Sequence, residues 1–202
     1  MIVIKHPMIL TLFLTALALE IAYLGLFWLT LRRPGFRFWP PPSARSWQFF
    51  AAWLAAGVVS AIFLLLGAAD FNSACLPIFQ HRLPLALVLF GLGSALGAWA
   101  SMTVGLRVTL GLGKRLVTRG PYRYTRNPEY IGDSLNILGY MVLTNSWMAW
   151  VLGILGLALN ILAPFTEEPW LEERFGAEYL AYKEAVPRFT RLGRRAAGTI
   201  RL

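Results

Sequence analysis

Long apolar runs alternate with short polar segments along the whole chain. Three of these runs are long enough to cross a membrane as helices: Met8–Leu31, Trp47–Ala69 and Leu85–Gly105. A helix rises ~1.5 Å per residue and needs roughly 20 apolar residues to cross the ~30 Å hydrocarbon core. The pattern therefore predicts three transmembrane helices in the first half of the chain.

Two further apolar runs, Tyr130–Leu143 and Trp147–Phe165, are separated by only three residues, so they predict a tight helical hairpin. The first arm is short, roughly 21 Å, which fits a tilted span, a start among the headgroups or an incomplete crossing. In each case the outer ends of the hairpin return to the same side of the membrane.

Prolines at positions 164 and 169 predict a helix break after the last apolar run. The segment after the second proline has apolar residues at three- and four-residue spacing, which is typical of an amphipathic helix. These residues are Leu171, Phe175, Tyr179 and Tyr182. We expect this helix to lie on the membrane or to cap the bundle.

The composition supports a membrane protein, since 57% of the residues are hydrophobic and only 14% are charged. We predict an all-α integral membrane protein with about five transmembrane helices and a cytoplasmic amphipathic C-terminal helix. The chain is interpreted as one membrane domain, with a three-span bundle over residues 1–105, a chemically rich region over 106–192 and a basic tail over 193–202.

The net charge of +9 comes from Lys and Arg residues clustered between the apolar runs, which argues against nucleic acid as a partner. Lys and Arg accumulate in cytoplasmic loops. All but Lys5 and Arg82 follow the first span, the third span or the hairpin. This charge distribution places the segments after the first span, after the third span and after the hairpin in the cytoplasm. We expect the protein in a bacterial inner membrane. Cys75 and two histidines predict neither a disulfide nor a zinc site.

The segment GPYRYTRNPEY at residues 120–130 places polar and aromatic chemistry just before the hairpin. Pro128 can open the following helix, whose first N–H groups are unpaired. Asn127 and Glu129 add polar groups, and three rings can stack on a base or meet a cation. The rings belong to Tyr122, Tyr124 and Tyr130. The mixture suits a nucleotide-like ligand; the alternative is a belt of interface aromatics and lipid-phosphate contacts.

Two adjacent acids, Glu167 and Glu168, follow the hairpin in the segment TEEPW. Because the hairpin returns both of its ends to one side, we expect this pair to lie beside the TRNPEY segment. Held carboxylates there could bind a ligand's ammonium or hydroxyl groups. The alternative is a solvated start of the next helix, where acids are favourable.

Polar residues inside the apolar runs are costly unless they are paired or face a cavity. Four of them stand out: Glu20, Asp133, Asn136 and Asn160. The spacing of Asp133 and Asn136 places them on one helix face, where they could line the deep end of the same pocket. For Asn160 and Glu20, hydrogen bonds between helices are an equally good interpretation.

Taken together, LVTRGPYRYTRNPEYIG and TEEPWLEERFGAEYLAYKEAVPRF resemble the superfamily of isoprenylcysteine carboxyl methyltransferases and phospholipid methyltransferases. The resemblance covers roughly residues 107–192. It includes the LVT-x-GPY lead-in, the R-[HN]-P-x-Y-x-G signature, the hairpin, the paired acids and the FG-x-EY tail. The order and spacing of these motifs carry the resemblance, since each motif alone is weak.

The resemblance implies a membrane enzyme that binds S-adenosyl-L-methionine and methylates a lipophilic acceptor that arrives from the lipid, at the cytoplasmic interface. The cofactor contacts it implies are Lys114, Arg115, Leu116, Val117, Tyr122, Asn127, Pro128, Glu129, Tyr130 and Glu167. Two residues are candidates for catalysis. Glu168 would serve as a base for an amine acceptor, and Arg126 as a partner for an acceptor carboxylate.

Two departures leave the acceptor open. Asn127 stands where the eukaryotic carboxyl methyltransferases have histidine, and Ala163 stands where the prenylcysteine enzymes have a carboxylate-binding arginine. A prenylcysteine carboxylate, a phospholipid amine and another lipophilic group all remain candidates. Two other functions also compete: an NADPH-dependent enzyme like the sterol reductases, and a non-catalytic bundle that binds lipid or a partner.

Overall fold

The computed structural model describes residues 7–74, 82–113 and 115–190, and within these ranges it contains helices and no strand. The prediction of an all-α membrane protein is confirmed. The elements in chain order are α1 Pro7–Arg32, α2 Trp47–Ala69, α3 Arg82–Val104, α4 Leu106–Thr109, a 3-10 helix Gly120–Arg123, α5 Pro128–Thr144 and α6 Trp147–Ala185.

Four helices, α1, α2, α3 and α6, are long and apolar enough to cross a membrane. The first two begin and end within a residue of the predicted spans, and α3 is shifted toward the N-terminus, starting at Arg82. The fifth, α5, has 17 residues and a length of roughly 25 Å. It is therefore slightly shorter than the hydrocarbon core, as the sequence predicts.

The hairpin turn between α5 and α6 consists of Asn145 and Ser146. Asn145 has a left-handed φ of 47°, which ends α5, and Ser146 caps α6 by accepting a hydrogen bond from the Ala149 amide at 3.2 Å. Ser146 Oγ also donates to Asp70 Oδ2 at 2.8 Å, and the Asn72 amide donates to the Thr144 carbonyl at 2.7 Å. These bonds fix the turn to the segment after α2, so the outer ends of the hairpin meet at the opposite end of the bundle.

One prediction about α6 is wrong: the helix does not break at the prolines. It runs through Pro164 and Pro169, and its non-helical residue is Gly176, with φ 52° and ψ −128°. A proline removes one amide donor but already has a helical φ, whereas positive φ suits a residue without a Cβ. The part of α6 before Gly176, residues 147–175, is roughly 43 Å long and therefore exceeds the ~30 Å thickness of the hydrocarbon core.

The amphipathic face of the C-terminal part of α6 is buried against protein. Tyr179 and Tyr182 form a core cluster with Val186, and Leu116 packs against it. The Tyr182 hydroxyl donates to the Tyr122 carbonyl at 2.7 Å. This helix part therefore packs against the bundle as a cap.

Glycines allow α3 and α5 to approach each other closely. A Cβ added at Gly132 of α5 would lie 2.8 Å from the carbonyl oxygen of Gly93 and 2.9 Å from the amide nitrogen of Gly97, both on α3. Small residues of this kind let helix backbones meet in membranes. Gly91, on the same helix, faces open space.

We predict that Gly132→Ala lowers the stability of the bundle by about 1 to 3 kcal/mol, because the new methyl would overlap backbone atoms that cannot rotate away. Thermal unfolding of the purified protein in detergent measures the change. Gly91→Ala is the matched control and should unfold at the temperature of the parent. Equal unfolding temperatures for both variants would contradict close packing at Gly132.

Candidate functional site

The outer ends of the hairpin enclose a cavity of about 230 Å³. One wall is the start of α5 and a second is α6 around residues 164–182. A third consists of residues within 104–113 and 115–117, and Trp39 and Pro40 of the loop between α1 and α2 complete the cavity. The two polar segments of the sequence, TRNPEY and TEEPW, therefore face one cavity.

A shared carboxylate contact joins the two segments. Glu167 Oε1 accepts hydrogen bonds from the Tyr130 hydroxyl and from Trp39 Nε1, the latter at 2.5 Å. Trp39 Nε1 also lies 3.0 Å from the Tyr130 oxygen. Both of these donors bind Oε1, and among the described residues no hydrogen bond to Glu167 Oε2 is seen. The lone pairs of Oε2 can therefore accept a hydrogen bond from a ligand.

Glu168 lies at the centre of an ion cluster in the cavity wall. Arg188 donates to both of its oxygens, with Nε at 2.7 Å from Oε1 and Nη2 at 2.5 Å from Oε2. Arg126 Nη2 lies 3.1 Å from Oε1. The Glu168 and Arg126 side chains are only 6% and 8% exposed. Because both oxygens already bind guanidinium groups, this geometry favours a structural role for Glu168 over the predicted role as a base.

The backbone after α6 is bound to the TRNPEY segment. Asn127 Nδ2 donates to the Arg188 carbonyl at 2.9 Å, and Thr125 Oγ1 donates to the same oxygen at 3.0 Å. The Arg126 amide donates to the Pro187 carbonyl at 3.0 Å. Asn127 is buried, and its side chain serves this connection rather than capping α5.

Glu129 connects the start of α5 to α3 and α4. Its Oε1 accepts hydrogen bonds from Ser101 Oγ at 3.0 Å and from Thr109 Oγ1 at 2.9 Å. The carboxylate also lies close to Tyr122. Burial raises the pKa of the Tyr122 phenol, and the negative charges of Glu129 and Glu167 raise it further. Tyr122 therefore stays a neutral hydroxyl in the cavity wall.

Arg188 stays charged in the ion cluster. Its hydrogen bonds to Glu168 raise the pKa of the guanidinium, an effect that outweighs partial burial. The guanidinium also lies 3.8 Å from the centre of the Phe165 ring. The side chain is thus held from two directions.

Most of the predicted site residues meet at the cavity. Those that line it are Arg115, Leu116, Val117, Tyr122, Arg126, Asn127, Glu129, Tyr130, Glu167 and Glu168. Pro128 is buried at the start of α5 and is not among the lining residues. Lys114 lies outside the described residues. Tyr124 is 66% exposed and does not line the cavity.

Residues 81–178 match the phospholipid methyltransferase family. The resemblance to this superfamily is confirmed. The match extends from the start of α3 to the C-terminal part of α6, so it includes Tyr130 and both glutamates of the acidic pair. Trp39 and Arg188, which complete their contacts, lie outside the matched residues.

The chain is also similar to two curated proteins. The chain is 28% identical over 109 residues to steroid 5-alpha-reductase DET2 of Solanum lycopersicum, covering 54% of this chain and 42% of the relative. It is 33% identical over 109 residues to cobalt-zinc-cadmium resistance protein CzcN of Cupriavidus metallidurans, covering 52% of this chain and 49% of the relative. The chain thus spans less than half the length of either relative. No solved structure matches the chain.

Sequence reasoning missed the contribution of the loop between α1 and α2. Trp39 donates to Glu167, and Trp53 at the start of α2 also lines the cavity. Tryptophans near the ends of membrane helices are common as interface anchors. The sequence pattern alone therefore did not distinguish Trp39 and Trp53 from such anchors. Asp133, predicted at the deep end of the pocket, does line it.

We predict that Glu168→Ala destabilises the protein by on the order of 3 kcal/mol, because it leaves the buried Arg126 guanidinium without its counter-charge. Thermal unfolding in detergent measures the loss. Lys183→Ala is the control: its ammonium is 3.9 Å from Glu168 and 2.5 Å from the half-exposed Glu172, and its side chain is 38% exposed, so about 0 to 1 kcal/mol should be lost. Similar losses in the two variants would refute the importance of the cluster.

Proposed function

We propose that the protein transfers a methyl group from S-adenosyl-L-methionine to a lipophilic acceptor at the cytoplasmic face of the membrane. The observation that carries this proposal is the contact of Tyr130 with Glu167 at a cavity between the two motif segments. The match to the phospholipid methyltransferase family supports it. The cytoplasmic side follows from the distribution of Lys and Arg in the sequence.

The residues present fit the polar groups of this cofactor. Glu167 Oε2 can accept a hydrogen bond from the ammonium group of the cofactor. The buried Arg126 Nε has no acceptor among the described residues. It can donate a hydrogen bond to the carboxylate of the cofactor. The rings of Tyr122 and Tyr130 can contact the adenine or the sulfonium. These groups lie in the same cavity.

The cavity is smaller than a typical small-molecule site. Its volume of about 230 Å³ is below the ~300 Å³ at which such sites begin. One wall contains Gly111, which has φ 73° and packs closely on Trp39 and Pro41. We infer that this wall and the loop between α1 and α2 separate when the cofactor enters.

When held by Glu167, Tyr122 and Tyr130, S-adenosylmethionine would supply an electrophilic methyl group on a cationic sulfur. Little covalent assistance is needed, so orientation and exclusion of water provide most of the acceleration. Glu167 and Tyr130, on α6 and α5, form the fixed side of the site. An acceptor that loses a proton also needs a base, and Asp133, which lines the cavity, replaces Glu168 as the candidate.

The steroid reductase relative favours a second candidate function, reduction with NADPH. Titration of the detergent-purified protein with S-adenosylhomocysteine and with NADPH separates the two. We expect saturable binding of S-adenosylhomocysteine and no saturable binding of NADPH. The reverse result would establish the reductase candidate, and binding of neither would favour a non-catalytic bundle. With binding established, labelled methyl donor added to native membranes would identify the acceptor, including a phospholipid amine.

We predict that Glu167→Gln weakens S-adenosylhomocysteine binding by roughly tenfold to a hundredfold, because a hydrogen bond to a charged group contributes ~1.5 to 3 kcal/mol. Calorimetric titration measures the affinity. Glu178→Gln, an exposed carboxylate on the same helix, is the control and should bind like the parent. Parent-like affinity in the Glu167 variant would remove this residue from the site.

A further inference from the structure

A second cavity of about 440 Å³ lies inside the membrane part of the bundle, between α1, α2, α5 and α6. Its walls are mostly apolar, with Phe63, Ile137 and Leu152 among them. It shares two wall residues, Trp53 and Asp133, with the first cavity. Its size is within the ~300 to 1,000 Å³ typical of small-molecule sites.

Glu20 is a buried carboxyl group in the wall of this second cavity. It lies near the middle of α1, roughly 18 to 20 Å from either end. The residue is 4% exposed, and no described residue donates a hydrogen bond to its Oε2. An unpartnered polar group at that depth is costly. Such a group is retained most readily where a ligand completes its hydrogen bonds.

The neighbouring polar residues of the cavity already have partners. Asn136 Oδ1 accepts from Ser94 Oγ at 3.3 Å, and Asn160 Nδ2 donates to Ser134 Oγ at 3.2 Å. They join helices, as the sequence suggested for Asn160. The sequence also allowed a hydrogen bond between Glu20 and another helix, but among the described residues no such bond is seen. Ser60 and Asp133 also line this wall, but among its described polar residues Glu20 is the one with a buried oxygen that lacks a hydrogen-bond donor, so it is available to a ligand.

Space for that ligand is present beside the carboxyl group. The wall residue facing Glu20 is Gly156, and a Cβ added there would still be 3.9 Å from Glu20 Oε1. The same Cβ would lie 3.4 Å from Ile137 Cδ1, an ordinary contact distance. The glycine thus keeps a methyl-sized volume open next to Glu20.

We propose that this cavity binds an apolar molecule that carries a hydroxyl group, and that the hydroxyl hydrogen-bonds to Glu20. The apolar walls select the body of the molecule. A neutral hydroxyl satisfies the carboxyl group without placing another charge in hydrocarbon. Because Trp53 and Asp133 border both cavities, the same molecule is positioned to be the methyl acceptor; that role rests on the proposed function, whereas the binding does not.

Photolabelling of the full chain in detergent tests the binding. The probes are a C12 alcohol with a mid-chain diazirine and its methyl ether, which cannot donate a hydrogen bond. We expect the alcohol to label peptides of α1, α2, α5 or α6 that line the cavity, about threefold to tenfold more efficiently than the ether, the ratio that one hydrogen bond supplies. Equal labelling by both probes, or labelling confined to lipid-facing positions, would overturn the proposal.

Variants separate ligand recognition from a structural role. Glu20→Leu should lose the preference for the alcohol and unfold at a higher temperature, because it removes an unpartnered polar group. Glu20→Gln keeps an acceptor and should retain most of the preference. Lower stability of Glu20→Leu together with unchanged labelling would show that Glu20 is structural and would overturn the proposal.

A change in cavity volume gives an independent measurement. Gly156→Ala should fold like the parent, since its methyl meets only ordinary contacts, and should reduce alcohol labelling severalfold. Gly57→Ala, in open space on α2, is the control and should label like the parent. Parent-like labelling of Gly156→Ala would count against the cavity as the binding place.

Measuring S-adenosylhomocysteine binding on the same samples distinguishes this inference from the proposed function. Alcohol labelling without cofactor binding would refute methyl transfer and leave the second binding site standing. Cofactor binding without selective alcohol labelling would refute the second site and leave methyl transfer standing.

Discussion

The ion cluster of Glu168 with Arg126 and Arg188 is the interaction on which the site depends. It joins the turn before α5, the middle of α6 and the segment that follows α6. The buried Glu168 carboxylate and the buried Arg126 guanidinium would each be strongly unfavourable alone, so each requires the other, and the partly exposed Arg188 adds a second cation. Once these three parts are joined, the neighbouring Glu167 faces the cavity beside Tyr130.

Much of this arrangement could be predicted from the sequence because the membrane restricts the alternatives. The apolar runs set the limits of α1 and α2 to within a residue. The three polar residues between the last two runs allow only a reversal, so the two motif segments had to meet on one side. Neither step required knowledge of side-chain contacts.

The rest depends on tertiary contacts that no local pattern encodes. Proline predicts the end of a helix from its missing amide, yet α6 continues through Pro164 and Pro169 and changes direction at Gly176. Trp39 reaches Glu167 across 128 positions of sequence, and a tryptophan in a loop beside a membrane helix is equally typical of an interface anchor. The acidic pair shows the same limit: adjacent in sequence, its members face different partners.

The carboxyl groups of Glu168 and Glu20 show how partners separate structural from ligand-binding roles. Both are nearly excluded from solvent, at 5% and 4% exposure. Glu168 is surrounded by cations and serves to hold segments together, whereas no described residue donates to Glu20 Oε2. A bundle selected for stability alone would gain by placing leucine at position 20, since the bilayer offers the carboxyl group no water. The carboxyl group beside an apolar cavity is therefore best explained by a molecule that enters from the membrane and supplies the missing hydrogen bond.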